Sequence, residues 1–215
     1  MDEHRMRAAH RRAVLSWAEG ARTWDPATLA TPVPATPGWS VRDLLAHVTG
    51  ATIDLVAGEM HGAPGPSWSA RHLVAWSGRP APEAAVALAS AAAAVPDDVL
   101  ASASPTPVWD LVVHRDDVRE ALGEPPVEAE WAPVLERAWA FVAAGGGCPT
   151  VRTGDGVWPG GAGEAELDAD DHGLFRVLFS RRSRRQVAAL VHGDVAAVEG
   201  VQLFGTRDDD QPSVR

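Results

Sequence analysis

The most informative stretch of this chain, residues 37–47, reads Pro-Gly-Trp-Ser-Val-Arg-Asp-Leu-Leu-Ala-His. Its Pro-Gly pair predicts a sharp turn, because proline fixes its own backbone and glycine tolerates left-handed conformations. Ser40 and Asp43 have the spacing of a capping box, so a helix should begin directly after Ser40. The stretch therefore predicts a turn into a capped helix, with His47 about two turns inside it.

A second stretch, residues 109–117, reads Trp-Asp-Leu-Val-Val-His-Arg-Asp-Asp. Asp110 and His114 stand four positions apart, so on a helix they share one face, and Asp117 falls on the same border of the apolar stripe. His47 also lies at the edge of its stripe. Two imidazoles and a carboxylate from two facing helices can hold a divalent metal and leave one position open, as in catalytic zinc sites. We therefore predict a metal site here, with Asp117 hydrogen-bonded to a ligand histidine.

The other histidines and the cysteine are weaker candidates. His61, His72, His172 and His192 stand in loop-like stretches or in the second half of the chain, so we do not predict them as ligands. Cys148 is the chain's one cysteine, which allows no internal disulfide, and it follows a glycine run. We predict that it is a small packing residue.

Composition limits the class of protein. A chain of 215 residues can form one large domain or two small ones, and 22% charged with 46% apolar residues is typical of a folded globular protein. The net charge of −10 argues against a nucleic-acid or anionic-membrane partner. The sequence has no lysine and no tyrosine, which excludes Schiff-base catalysis and a tyrosine general acid.

Targeting patterns predict a cytoplasmic location. The charged start of the sequence does not fit a signal peptide, and no apolar run is long enough for a membrane span.

Residues 1–125 are predicted to form a four-helix bundle that carries the metal site. Helices are predicted at about residues 3–21, from residue 41 onward, at 83–95 and at 107–122, and residues 58–82 as a long loop with a short helix at 71–76. Alanine-rich composition, apolar periodicity and flanking prolines support these helices.

Residues 128–205 are predicted to form a small α+β domain, so the predicted fold class is α+β. The expected elements are a helix at 132–144, β-like pieces at 149–153 and 163–167, a helix at 171–179, a strand at 186–191 and a short helix from Asp194. Residues 206–215 are predicted as a polar tail.

Several motifs resemble those of a known family. Residues 37–47 and 109–123 resemble the two signature segments of the mycothiol-dependent maleylpyruvate isomerase family, within the larger DinB-like superfamily. Residues 168–179 and 192–194 are similar to the sterol-carrier-like C-terminal domain of those proteins. The resemblance extends over nearly the whole chain.

The resemblance implies a DinB-like four-helix bundle with a divalent metal, typically zinc. By motif, the implied ligands are His47, Asp110 and His114. The family usually has glutamate at the position of Asp110. It also usually has a Gly-Arg pair where this chain has Ser180-Arg181.

The resemblance further implies the chemistry. A metal with an open position lowers the pKa of a bound thiol. Because no cysteine stands near the motifs, the thiol would arrive as a cosubstrate, mycothiol, and add to an electrophilic small molecule. The outcome would be cis–trans isomerisation or S-transfer. Asp117 would orient a ligand, and Arg181 or Arg182 would clamp a substrate carboxylate unless they form only a solvated basic turn.

Two other functions stay open at this point. One is a noncatalytic binding protein whose Asp110 marks a weakened metal site, and the other is a metal-dependent hydrolase that uses bound water. Metal content and thiol dependence discriminate between these readings. The sequence leaves open the electrophile and whether the protein is a monomer or a homodimer.

Overall fold

The computed structural model describes residues 3–102, 104 and 106–212, which form two compact units. The first comprises the described residues up to 125, and the second comprises residues 126–212. The first unit is helical and the second combines helices with a small sheet, so the predicted α+β class is confirmed. Within the described part of the chain, no helix is both long and apolar enough to cross a membrane.

The helices of the first unit are α1 (Glu3–Thr23), α2 (Pro26–Leu29), α3 (Val41–Ala57), α4 (Pro66–Trp76), α5 (Ala81–Ala92), α6 (Asp97–Ala101) and α7 (Thr106–Leu122). Both α1 and α3 pack against α5 and α7, so these four helices form a bundle with the cyclic order α1, α5, α3, α7. The short helix α4 packs along α3. This arrangement brings α3 and α7, which carry the predicted ligands, into contact.

The start of α3 follows from its local sequence. Gly38 has a φ of 86°, a left-handed conformation that glycine adopts without steric cost. The Ser40 hydroxyl accepts from the Asp43 backbone N–H, and the Asp43 carboxylate accepts from the Ser40 N–H. The predicted turn and capping box are therefore confirmed. The apolar face of α3 lies in the core through Val41, Leu44, Leu45 and Val48.

Buried hydrogen bonds attach α7 to α1. The indole Nε1 of the fully buried Trp17 donates to the Leu111 carbonyl at 3.0 Å. The Ser16 hydroxyl accepts from Arg115 and from Arg119, each at 2.8 Å. These bonds fix the position and rotation of α7 in the bundle. They therefore also fix the direction of His114, which lies one turn after Leu111.

The short helix predicted at 71–76 within the loop at 58–82 is confirmed, but it is longer than expected. Helix α4 begins at Pro66, earlier than the short helix expected at 71–76, and α5 begins at Ala81. Proline at the first helical position is preorganised for a helix start. The glycine- and proline-rich composition hid the helical pattern, because the buried face of α4 has only Trp68, Ser69 and His72.

The elements of the second unit are α8 (Glu128–Ala144), β1 (Thr150–Arg152), β2 (Val157–Trp158), β3 (Glu164–Leu167), α9 (Asp171–Leu178), α10 (Arg184–Leu190), β4 (Val191–Gly193) and α11 (Val195–Glu199). The strand order is β2-β1-β3-β4. Strand β1 runs antiparallel to β2 and parallel to β3, and β3 runs antiparallel to β4. Helix α8 packs on α9, whose Phe175 is fully buried.

The strand predicted at 186–191 is wrong, because most of this segment is helix α10. Ser183 and Gln186 form a reciprocal capping box that starts the helix. The strand β4 begins only at Val191. The β-branched residues of the segment favoured a strand by propensity, but the cap at Ser183 and the alanines within the segment favour the helix.

Residues 206–212 pack on the start of α10. The Arg207 carbonyl accepts from the Arg184 N–H, and the Ser183 hydroxyl donates to Asp210. The Gln186 side chain donates to the Gln211 carbonyl. Residues 213–215 of the predicted polar tail lie outside the described residues.

Candidate metal centre

Three side chains from α3 and α7 converge in the first unit. Oδ1 of Asp110 lies 3.5 Å from Nε2 of His47 and 3.4 Å from Nε2 of His114. One donor atom of each residue lies within 4.8 Å of the donor atoms of the other two. The structure thus brings together the three residues for which the sequence predicted a metal site.

The spacing of these donors fits a small divalent cation. Tetrahedral zinc with bonds of about 2.0–2.2 Å holds its ligand atoms about 3.4 Å apart. The two nitrogen–oxygen separations around Oδ1 of Asp110, 3.4 and 3.5 Å, match this value. The shorter aspartate at position 110 therefore still reaches both histidines. Among the described residues the cluster has three donors, which leaves the fourth tetrahedral position open.

Aromatic rings surround the His47 imidazole. The ring centroid of Trp39 lies 5.1 Å from that of His47, and the Trp68 ring meets it edge to face at 5.7 Å. His47 itself is buried. Rings in contact with the imidazole restrict its orientation, which positions Nε2 for Asp110.

Asp117 contacts the other histidine. Its Oδ2 lies 3.0 Å from Nδ1 of His114, and the Asp117 side chain is fully buried. A carboxylate accepts hydrogen bonds only, so Nδ1 of His114 carries a proton in either charge state of the ring. Nε2, on the side of Asp110, is then the nitrogen that can bind a metal.

The two carboxylates control the charge of His114. Burial lowers the pKa of His114, but the hydrogen bonds to Asp110 and Asp117 outweigh it and raise the pKa to about 9. Burial likewise raises the pKa of Asp110, but the two neighbouring imidazoles hold it well below its usual range. In the metal-free protein His114 is therefore an imidazolium at neutral pH, and a metal must replace one of its protons.

The site includes a second histidine–carboxylate pair that the sequence analysis did not predict. Nδ1 of His72, on α4, lies 3.3 Å from Nδ1 of His47. Nε2 of His72 lies 3.1 Å from Oδ2 of Asp54 on α3. Burial keeps the pKa of His72 below its usual value, although the hydrogen bond to Asp54 raises it.

Two sequence signals pointed to this pair. Asp54 stands seven positions after His47, which places both on one face of α3. His72 stands four positions after Trp68, so both belong to one face of α4. The helix predicted at 71–76 leaves out Trp68, so the prediction does not show that Trp68 and His72 share a face.

Gly50 makes room for the His72 ring. A Cβ at position 50 would lie 2.5 Å from ring atoms of His72, a distance that side chains do not tolerate. The absence of a side chain at Gly50 therefore allows α4 to place the imidazole directly against α3.

The remaining candidate histidines belong to other parts of the chain. His61 is exposed in a turn after α3. His172 belongs to α9 and packs against the Trp131 ring, and His192 is exposed on β4.

Arg181 and Arg182 lie in the second unit, where both are 8% exposed. Nη1 of Arg181 donates to the Phe179 carbonyl at 2.8 Å, and Nη1 of Arg182 donates to the Arg181 carbonyl at 2.6 Å. These bonds support a structural role within the unit. The role of a carboxylate clamp stays a prediction.

The fold and the cluster together define a class of protein, a helical bundle with two histidines and a carboxylate on facing helices. Residues 10–65 match a family model described as the mycothiol maleylpyruvate isomerase N-terminal domain. The match confirms, over this segment, the family resemblance that the motifs predicted. It covers His47 but neither Asp110 nor His114. Comparisons with the curated proteins and with the solved structures gave no match.

Proposed function

We propose that this chain is a metal-dependent enzyme that uses a low-molecular-weight thiol, mycothiol, to attack an electrophilic small molecule. The reaction class is S-transfer or maleylpyruvate-type cis–trans isomerisation. In this proposal the first unit is a DinB-like bundle that holds a divalent ion, with zinc as the favoured metal, and the second unit is a sterol-carrier-like domain.

The observation that carries the proposal is the donor geometry around Asp110. Its Oδ1 lies 3.5 and 3.4 Å from the Nε2 atoms of His47 and His114, the separation expected of ligands on one tetrahedral ion. Asp117 orients His114 through its Nδ1. Three protein ligands with a fourth position open are typical of catalytic rather than structural zinc.

The thiol is proposed from the family match and from the state of the chain's own cysteine. Cys148 is buried in the second unit, its Sγ donates to the Pro149 carbonyl, and burial raises the pKa of its thiol. A buried thiol of raised pKa is a poor nucleophile. When bound, the divalent ion would lower the pKa of a thiol at its open position.

The chain's residues then have separate tasks. His47, Asp110 and His114 would hold the ion, and Asp117 would keep the His114 ring in a fixed orientation. Trp39 and Trp68 would shield the His47 ring on its apolar side. Arg181 is proposed as a carboxylate clamp only as carried over from the resemblance.

The test of the metal is elemental analysis of the purified protein. We expect about one divalent ion per chain, lost in His47→Ala and His114→Ala, because removing one of three ligands leaves too few donors. His61→Ala removes an exposed histidine and is the matched control. Metal-free wild-type protein whose melting temperature does not respond to zinc would instead favour a noncatalytic binding protein.

The test of the thiol is an activity screen with and without mycothiol. Unsaturated keto acids, epoxides and quinones serve as electrophiles. We expect turnover only when the thiol is present and only in metal-loaded protein. Turnover without any thiol would contradict the proposal and favour a hydrolase that uses bound water.

A further inference from the structure

The candidate metal centre has an outer arm on the His47 side, formed by His72 and Asp54. His72 is 3% exposed, and its two ring nitrogens face different partners. Nδ1 lies 3.3 Å from Nδ1 of His47, and Nε2 lies 3.1 Å from Oδ2 of Asp54. Both nitrogens are engaged, so His72 is placed as a hydrogen-bonding partner and not as a further metal ligand.

The hydrogen-bonding partners in this arm determine which ring nitrogen of each histidine carries a proton. The Asp54 carboxylate can only accept, so Nε2 of His72 donates to it. In a neutral ring Nδ1 of His72 is then the acceptor, and Nδ1 of His47 must donate to it. This leaves the lone pair of His47 on Nε2, the nitrogen that lies 3.5 Å from Asp110.

The arm requires α4 to lie close to α3. Helix α4 packs along α3, and Gly50 leaves the space that the His72 ring fills. Arg71, on the same helix as His72, places Nη2 3.2 Å from the same Asp54 oxygen. The Arg71 side chain is half exposed, so its ion pair is worth little, and the buried imidazole carries the interaction.

We propose that His72 and Asp54 are positioning residues that hold His47 in the tautomer with Nε2 free to bind the metal. The proposal rests on the metal site proposed above. The two ligand histidines are then oriented differently, His114 directly by the carboxylate of Asp117 and His47 through an intervening imidazole. Metal-ligating histidines generally donate their other ring N–H to such a partner, and loss of the partner weakens metal binding.

The first test is the zinc dissociation constant, measured by competition with a chromogenic chelator. In His72→Leu we expect it to rise about 10–100-fold, because the His47 N–H loses its acceptor. His72→Gln can restore an acceptor oxygen and should recover most of the affinity. Asp54→Asn, which can donate as well as accept and so reverse the order of the protons, should weaken binding.

The matched control is His10→Leu. His10 is another buried histidine of the first unit, on α1, and among the described residues its Nε2 has no hydrogen-bond partner. We expect it to leave the zinc dissociation constant unchanged. An equal loss in His10→Leu and His72→Leu would mean that burial of any histidine matters, and would overturn the proposal.

The second test needs no metal. Nitrogen-15 NMR of the histidine rings, recorded in metal-free protein over a series of pH values, distinguishes a protonated Nδ1 from a protonated Nε2. We expect His47 to carry its proton on Nδ1 in the wild type and in His72→Gln, and to populate the other tautomer in His72→Leu. A wild-type His47 protonated on Nε2 would overturn the proposal.

The two tests separate this proposal from the proposed function. A wild-type chain that binds no zinc contradicts the function, whereas the NMR result still decides whether His72 and Asp54 set the tautomer. Asp54→Asn and His72→Gln keep a polar side chain at each site, so the tests do not depend on the folding of His72→Leu.

Discussion

His114 lies between the carboxylates of Asp110 and Asp117, and this placement raises its pKa to about 9 in the metal-free protein. The unfolded chain has a histidine pKa of about 6.5. Because the folded pKa is the higher one, the stabilisation is fully present below about pH 6.5 and is lost as the pH rises through about 9.

We therefore expect metal-free protein to lose stability between pH 7 and pH 9.5, by an amount on the order of 2 kcal/mol. Denaturant unfolding at a series of pH values measures the free energy of unfolding. The sequence has no lysine or tyrosine, so few other groups titrate in this range. Asp117→Asn should flatten the profile, and Cys148→Ser controls for the thiol. A profile that rises over this range would show that His114 does not carry the charge.

The proton on Nε2 of His114 should also make metal binding depend on pH. Since His114 must release a proton from Nε2 before that nitrogen can bind an ion, zinc affinity should increase about tenfold per pH unit below pH 9. Titration calorimetry in buffers of different ionisation enthalpy should report the release of about one proton per zinc at pH 7.5. A buffer-independent heat of binding would contradict this prediction.

Gly50 of helix α3 leaves space for the neighbouring helix α4 to pack closely. In an exposed helix interior Gly→Ala stabilises by about 1 kcal/mol. At Gly50 we expect the opposite, a loss of about 1–3 kcal/mol, because the new Cβ would lie 2.5 Å from the His72 ring. Zinc affinity should fall as well, since displacement of His72 removes the partner of His47.

A double-mutant cycle with His72→Ala tests this contact. Removing the ring opens the space next to position 50, so in the His72→Ala background Gly50→Ala should become neutral or stabilising. Thermal unfolding of the four proteins gives the coupling energy. Additive effects would show that Gly50 and His72 do not interact.

Local signals predicted some elements and not others. The start of α3 and the shared face of Asp110 and His114 on α7 were predictable, because the capping box and the i, i+4 pair involve residues within a few positions of each other. The sequence predicts only residues 71–76 of helix α4, since the pattern of its first turns depends on packing against α3. The residues of helix α10 have mixed propensity and by themselves favour a strand, whereas the capping box at Ser183 starts a helix.

At the level of the whole molecule, a bound ion would join two helices that are distant in sequence. His47 belongs to α3, whereas Asp110 and His114 belong to α7. An ion that binds only the folded site stabilises it by about 2.7 kcal/mol when its free concentration is 100 times the dissociation constant. Stability and metal binding should therefore be coupled.

We expect added zinc to raise the melting temperature of the wild-type protein and a chelator to reverse the increase. His114→Ala should show no increase, and His61→Ala should behave as the wild type. Differential scanning calorimetry measures these changes. If the two compact units unfold in separate transitions, only the transition of the unit that contains the site should respond. An equal response in His114→Ala would place the bound zinc elsewhere.

Residues 37–47 and 109–117 were sufficient to predict the two helices that carry the candidate ligands, because caps, turns and helical periodicity depend on neighbours in the chain. The distances around Asp110 and the contact of His72 with His47 could not be predicted in this way. They depend on how α3, α4 and α7 pack against one another, and that packing is set by side chains far apart in the sequence. Local chemistry therefore identified the candidate ligands, whereas the packed bundle decides which nitrogen each histidine presents to a metal.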